Sequence, residues 1–267
     1  MSYQVNDIIK LMEEIAPPGL AESWDNVGLL VGSKNSDVNK IMITLDVTAD
    51  VIKEAVEKKV DLIICHHPVL FHPIKSLTDS SVTGLQITAL IRSGISVYVA
   101  HTNFDKAQGG TDDRLAELLG IKEIRPLSME RENSSFGRIG RLPKKQTLEA
   151  YLKQVRNALN ADKVDYIGDP EKKIEVVASC AGAGGDLIQS ALEAGADLYI
   201  TGEAKYHDML SVLDTDMAMA VLGHHTTEYP AMAALKQRLQ NWFNVLQYDI
   251  EIISSEDYGK CFRRLKE

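Results

Sequence analysis

Ala55-Val56-Glu57-Lys58-Lys59-Val60-Asp61-Leu62-Ile63-Ile64-Cys65-His66-His67 has a second version in the chain at Ala191-Leu192-Glu193-Ala194-Gly195-Ala196-Asp197-Leu198-Tyr199-Ile200-Thr201-Gly202-Glu203. In both, a helical stretch passes through an Asp into a short apolar run and stops at a polar turn. An apolar run that does not alternate, entered from a helix, predicts a parallel strand covered on both faces. A second pair follows in the same order: Val99-Ala100-His101-Thr102-Asn103-Phe104-Asp105 beside Leu222-Gly223-His224-His225-Thr226-Thr227-Glu228, each a strand end carrying His-x-x-x-carboxylate. These matches predict an α/β chain of two related α/β domains from an internal duplication, with mostly parallel sheets. Halves related in this way would pool their strand-end side chains into a metal site between the domains.

Working outward, Asn6 can cap a helix with Ile8, Leu11, Met12 and Ile15 on one face, which Pro17-Pro18 stops. Strands are predicted at Ile41–Leu45, Leu62–Cys65 and Val97–Ala100, with a helix capped by Asp50 and carrying Val51, Ile52, Ala55 and Val56 between the first two, and another over Gln86–Ser93. Thr111–Leu119 reads as a helix closed by Gly120. Arg125–Lys145, rich in charge, Ser, Gly and Pro, reads as the passage between domains. Thr147–Leu159 resumes as a helix, followed by a strand at Ile174–Ser179, a helix at Asp186–Glu193, and strands at Asp197–Ile200 and Met217–Leu222. Met232, Leu235, Leu239 and Trp242 predict a last helix opened near Thr227, with Pro230 in its first turn. Tyr248–Ile253 reads as a final strand. The first domain is therefore expected over 1–126, with 224–267 returning to it, and the second over 127–223.

A chain of 267 residues, 45% hydrophobic and 25% charged, has the composition of an ordinary globular protein and the length of two domains. Its net charge of -9 argues against a nucleic-acid backbone as the main partner, and Lys144-Lys145 and Arg263-Arg264 are short enough to be solvated surface. Cys65, Cys180 and Cys261 are odd in number and lack C-x-x-C spacing, so a reducing, cytoplasmic setting is expected. Neither an export signal nor an apolar run of about 18 residues is seen, which predicts no membrane association.

Five of the seven histidines, His66, His67, His101, His224 and His225, fall at predicted strand ends. Successive residues of a strand point to opposite faces, so His66 and His67 should diverge unless the strand has ended, and diverging imidazoles would serve two ions. Two divalent ions about 3.5–4 Å apart, bridged by carboxylate and water, are common in hydrolytic sites. Asp105 and Glu228 are suitable carboxylates, and His224 is a third imidazole, with His225 as its alternative. His101 could be a ligand, a hydrogen-bonding support or a proton shuttle. A shell of imidazole, carboxylate and water suits zinc, manganese, iron, nickel or cobalt without choosing among them. Glu203, His72 and His207 read as surface or capping groups. The turn Ala181-Gly182-Ala183-Gly184-Gly185-Asp186 lacks both G-x-G-x-x-G and P-loop spacing and reads as tight-turn chemistry, though it is the first candidate for holding a phosphate. Cys65 reads as core, and no Gly-x-Ser-x-Gly elbow is present.

Cys65-His66-His67-Pro68, His101-Thr102-Asn103-Phe104-Asp105, Thr201-Gly202-Glu203 and Gly223-His224-His225-Thr226-Thr227-Glu228, together with the opening Trp24-Asp25-Asn26-Val27-Gly28-Leu29, resemble the GTP cyclohydrolase 1 type 2, or Ngg-interacting-factor-three-like, family in the form without an inserted domain. The resemblance implies two α/β domains with a dinuclear metal site between them and ring-shaped homo-oligomers, often hexamers. By motif position it implies His66, His67, Asp105, His224 and Glu228 as ligands of two divalent ions per chain. The family name implies hydrolytic opening of the GTP ring.

The expected function is a divalent-metal-dependent hydrolase of GTP cyclohydrolase type acting on a nucleotide or another small molecule, with His101 as the catalytic proton carrier. The alternative is a non-catalytic metal-binding adaptor or metal-delivery protein that forms a ring with copies of itself. A DNA-associated role is disfavoured by the acidic charge balance.

Overall fold

The computed structural model describes residues 3–128 and 135–256, so Cys261, Arg263-Arg264 and part of the predicted domain passage lie outside the described residues. The chain divides into two compact units, one of residues 1–104 and 232–267, the other of residues 105–231.

In the first unit, β1 (Tyr3–Gln4) leads into α1 (Val5–Ile15), which buries Ile8, Met12 and Ile15 on one face. The helix begins one residue before Asn6, and its first turn is closed by the Asp7 carboxylate accepting the Gln4 N–H at 3.1 Å. Next come β2 (Gly28–Val31), β3 (Asp37–Val38), β4 (Lys40–Thr44), α2 (Ala49–Glu57), β5 (Leu62–Cys65), α3 (Val82–Arg92), β6 (Ser96–Val99) and the start of α4 (Thr102–Lys106). The last strand, β13 (Glu251–Ser254), returns to this unit, giving the sheet order β13-β4-β5-β6-β2. Its first four strands are parallel and β2 is antiparallel to β6. Every residue of β5 and β6 is buried, so both faces of these strands are covered, as their unbroken apolar runs require.

The second unit contains α5 (Thr111–Leu118), β7 (Lys122–Pro126), β8 (Arg138–Thr147), α6 (Leu148–Ala158), β9 (Asp165–Ile167), β10 (Lys173–Cys180), a short 3-10 turn over Gly185–Leu187 and α7 (Ile188–Glu193). Then follow β11 (Leu198–Thr201), α8 (Tyr206–Leu210), β12 (Ala218–Val221) and α9 (His224–Leu246), which runs on past the unit boundary. Its sheet order is β7-β8-β10-β11-β12-β9. Only β10, β11 and β12 are parallel; β7, β8 and β9 pair antiparallel. The expectation of mostly parallel sheets therefore holds for the first sheet, while the second is mixed.

Part of the mixture comes from the stretch read as a domain passage, which contributes most of β8. Ile139 and Leu142 of β8 are buried in two different hydrophobic clusters, while Arg141 is exposed and pairs with Glu175 at 3.0 Å. Pro143, which argues against a strand, falls where the β8–β10 register shifts between Ile174 and Val176, an irregularity that removes the need for its missing N–H. Because β7 pairs with β8, and Leu115, Ala116, Leu119 and Ile121 join the core around Leu198 and Ile200, residues 105–126 belong with the second unit. The first domain expected over 1–126 thus ends earlier, at 104, and the returning segment starts at 232 instead of 224.

Candidate functional site

In the first unit, β5 ends at Cys65, and the N–H groups of His66 and His67 both donate to the Leu45 carbonyl, at 3.2 and 2.9 Å. One acceptor shared by two successive donors marks the end of strand alternation, so the two rings do not diverge. Their centroids are 5.1 Å apart, and the His101 ring, just beyond β6, lies 5.0 Å from His66 and 5.7 Å from His67. One ligand-type atom from each of the three histidines falls within 4.8 Å of the others. The three rings thus converge instead of diverging as strand alternation would place them.

Each of these rings is held through Nδ1. His66 Nδ1 lies 2.8 Å from the Ala100 carbonyl, His67 Nδ1 2.8 Å from an Asp46 oxygen, and His101 Nδ1 2.9 Å from an Asp25 oxygen. A carbonyl or carboxylate oxygen has no proton to give, so in each of these pairs the ring nitrogen Nδ1 is the donor. Asp25 is held in turn by the Thr102 N–H and hydroxyl at 3.1 and 2.5 Å. Burial pushes the Asp25 carboxyl up, but the hydrogen bonds from His101 and Thr102 outweigh it and bring its pKa down to about 2. It therefore stays ionised and holds the His101 ring through Nδ1.

In the second unit, His224 and Glu228 open α9, so the His-x-x-x-carboxylate spacing is one turn of helix and places both on one face. His224 Nε2 is 3.0 Å from Glu228 Oε1, and its Nδ1 is 3.3 Å from Glu203 Oε2. Two neighbouring ligands held at about 2.1 Å from one ion, roughly at right angles, are about 3.0 Å apart, so this pair fits a divalent cation. Gly182, at φ +63°, leaves the room they need: a Cβ there would lie 2.2 Å from Glu228 Oε1 and 3.2 Å from His224 Nε2. The residues present thus suit a metal ion in chemistry and in space.

Asp105 lies buried on α4, one helical turn after His101 in the chain. Near it in charge terms is Asp112, whose oxygens accept the N–H groups of Gly137 and Ala181 at 2.6 and 2.8 Å. Burial, with the Asp105 charge adding to it, raises the Asp112 carboxyl, and Arg138 opposes the rise. His225 stacks on Tyr229 at 5.5 Å, while the Glu203 and Glu228 contacts belong to His224. His72 and His207 are exposed beside Phe71 and Tyr206. Cys65 and Cys180 are buried free thiols whose pKa values burial pushes up.

The Gly-rich turn is not an anion cradle through these amides: the N–H groups of Ala181, Gly182 and Gly184 donate to Asp112, Thr227 and Thr201, at 2.8, 3.0 and 3.0 Å. Its service is to seat Gly182 against His224 and Glu228. A cavity of about 380 Å³ opens beside it, lined by Ala183, Asp186, Glu203, Ala204, Lys205 and Asp208 among others. Sequence reasoning set Glu203 aside as a surface group and missed Asp25, Asp46 and Gly182. Only Asp25, inside Trp24-Asp25-Asn26, and Gly182, inside the Gly-rich turn, carried a sequence signal. Among the described residues, no helix is long and apolar enough to cross a membrane.

Residues 3–259 match the family described as Duf34/NIF3 (NGG1p interacting factor 3). A protein of Clostridium perfringens named GTP cyclohydrolase 1 type 2 homolog is 35% identical over 256 residues, covering 95% of this chain and 97% of the relative. Among solved structures, a hypothetical protein of Staphylococcus aureus superposes with a TM-score of 0.91 at 27% identity, over 99% of this chain and 100% of that one. Reduced HcgD from Methanocaldococcus jannaschii superposes with a TM-score of 0.82 at 29% identity, over 96% of this chain and 99% of that one.

Proposed function

From the premise that this chain belongs to the Duf34/NIF3 family, we propose that it is a divalent-metal-dependent hydrolase of GTP cyclohydrolase type with a dinuclear site. His66, His67, Asp105, His224 and Glu228 hold two divalent ions, and the substrate is a nucleotide or a related small molecule. The observation that carries this reading is the trio His66, His67 and His101, each held at Nδ1 by an oxygen acceptor and each bringing one ligand-type atom within 4.8 Å of the others. Divalent ions held by such donors lower the pKa of a water and polarise a substrate oxygen.

The chain's own residues do the remaining work. Asp46 and the Ala100 carbonyl orient His67 and His66. His101, with Nδ1–H directed to an ionised Asp25, accepts and returns a proton at Nε2. Glu203 steadies His224 from the side opposite Glu228. The two halves descend from one duplicated unit; in support, each sheet has three central parallel strands with an antiparallel strand beside the third, β4-β5-β6-β2 and β10-β11-β12-β9. The protein works in the cytoplasm as a homohexamer.

The test is elemental analysis of protein purified without chelator, alongside GTP turnover. The expected result is two ions per chain in the wild type and loss of at least one in His66→Ala and in Glu228→Ala, with turnover reduced at least about 100-fold. Full turnover in a metal-depleted variant would overturn the proposal. Bound metal without turnover of any nucleotide would leave the adaptor role instead.

A further inference from the structure

Trp24 is 58% exposed and Phe71 42% exposed, an unusual state for two aromatic rings that touch each other at a centroid distance of 5.9 Å. Loose surface loops do not explain it, because the residues around both rings are fastened. Asp25 is bound by His101 and Thr102, and the Glu22 N–H donates to the Thr102 hydroxyl at 3.0 Å. The Asn26 side-chain amide donates to the Leu70 carbonyl at 2.6 Å, tying the turn just after Trp24 to the residue preceding Phe71. Trp24 and Phe71 are thus presented by anchored backbone and left unpacked.

Both rings also face the histidine cluster. Trp24 lies 6.5 Å from the His101 ring and Phe71 6.3 Å from it, each nearly perpendicular to it. Because the two aromatics touch at a tilt of 49°, no third ring fits between them, and the surface they offer is their outer face. An open aromatic face is sequence-tolerant stacking ground for a flat heteroaromatic ring, and here it borders the proton-carrying imidazole.

We propose that Trp24 and Phe71 form a stacking platform that seats the planar heteroaromatic ring of the substrate, a purine being the nearest chemical class, against His101. This rests on the hydrolase reading for its substrate but not for its measurement, which is binding.

Trp24 and Trp242 are the two tryptophans of the chain, so Trp242→Phe makes Trp24 the sole tryptophan reporter. Titrating that variant with GTP and guanosine should quench its emission saturably, whereas ribose 5-phosphate, which lacks the ring, should not. In the otherwise native chain, Trp24→Ala should weaken GTP binding by calorimetry at least about fivefold and Trp24→Phe should restore most of it, with thermal unfolding confirming that both fold. Absence of quenching, equal quenching by ribose 5-phosphate, or unchanged GTP affinity in Trp24→Ala would overturn the platform. A changed assembly size in Trp24→Ala with unchanged GTP affinity would overturn it in favour of a contact between copies. Trp24-dependent binding without turnover would keep this inference and sink the hydrolase reading; turnover indifferent to Trp24 would do the reverse.

Discussion

His66 and His67 are adjacent in the chain and converge in space, and what turns them is the single carbonyl of Leu45 that takes both of their N–H groups. At the same scale, Gly182 serves as an empty volume beside Glu228 and His224. Gly182→Ala adds a Cβ in a left-handed conformation and inside contact distance of the carboxylate. A loss of about 1–2 kcal/mol in stability is expected from the backbone alone, together with fewer metal ions per chain, measured by thermal unfolding and elemental analysis. Asp25 supplies a pH signature. Its folded pKa, about 2, lies below the ordinary value of 3.8, so its contribution to stability is present above about pH 4 and lost as pH falls toward 2. Asp25→Asn should therefore flatten the acid limb of a Tm-against-pH profile between pH 4 and 2 while lowering Tm near neutrality.

Among the elements, those whose signals are local were legible in the sequence. Leu62–Cys65 is a strand over the predicted residues, because four apolar residues between a helix and a polar turn have no other good burial. Gly120 closes α5 at φ +73° as expected, and Thr147, the expected first residue of its helix, caps α6 through its hydroxyl. Caps were misjudged where two candidates stood close together. Thr48, not Asp50, caps α2, its Oγ1 accepting the Val51 N–H at 3.2 Å, so Thr48→Ala should cost about 1 kcal/mol, readable as a shift of the denaturation midpoint. The last helix opens at His224, three residues before the expected Thr227, so Pro230 sits in its second turn and not its first. Strand β8 was missed because Lys144, Lys145 and Pro143 look like a loop when the partner strand that tolerates them is unknown.

At the scale of the whole molecule, the chain belongs to the Duf34/NIF3 family and folds as two α/β units. Sedimentation or light scattering of the full chain at micromolar concentration should give six chains per particle; a monomer would remove the ring from the account. By itself, the sequence determined what local chemistry determines: which segments are parallel strands, which histidines and carboxylates stand at their ends, and the family to which their order belongs. Only the tertiary structure decided which way those side chains point. Ring direction depends on acceptors distant in the chain: Leu45 for the turn at His66, Asp46 and Asp25 for the two imidazoles, and Gly182 for the room around Glu228. Spacing along a chain records none of these, because a hydrogen bond between residues 76 apart leaves no periodicity behind.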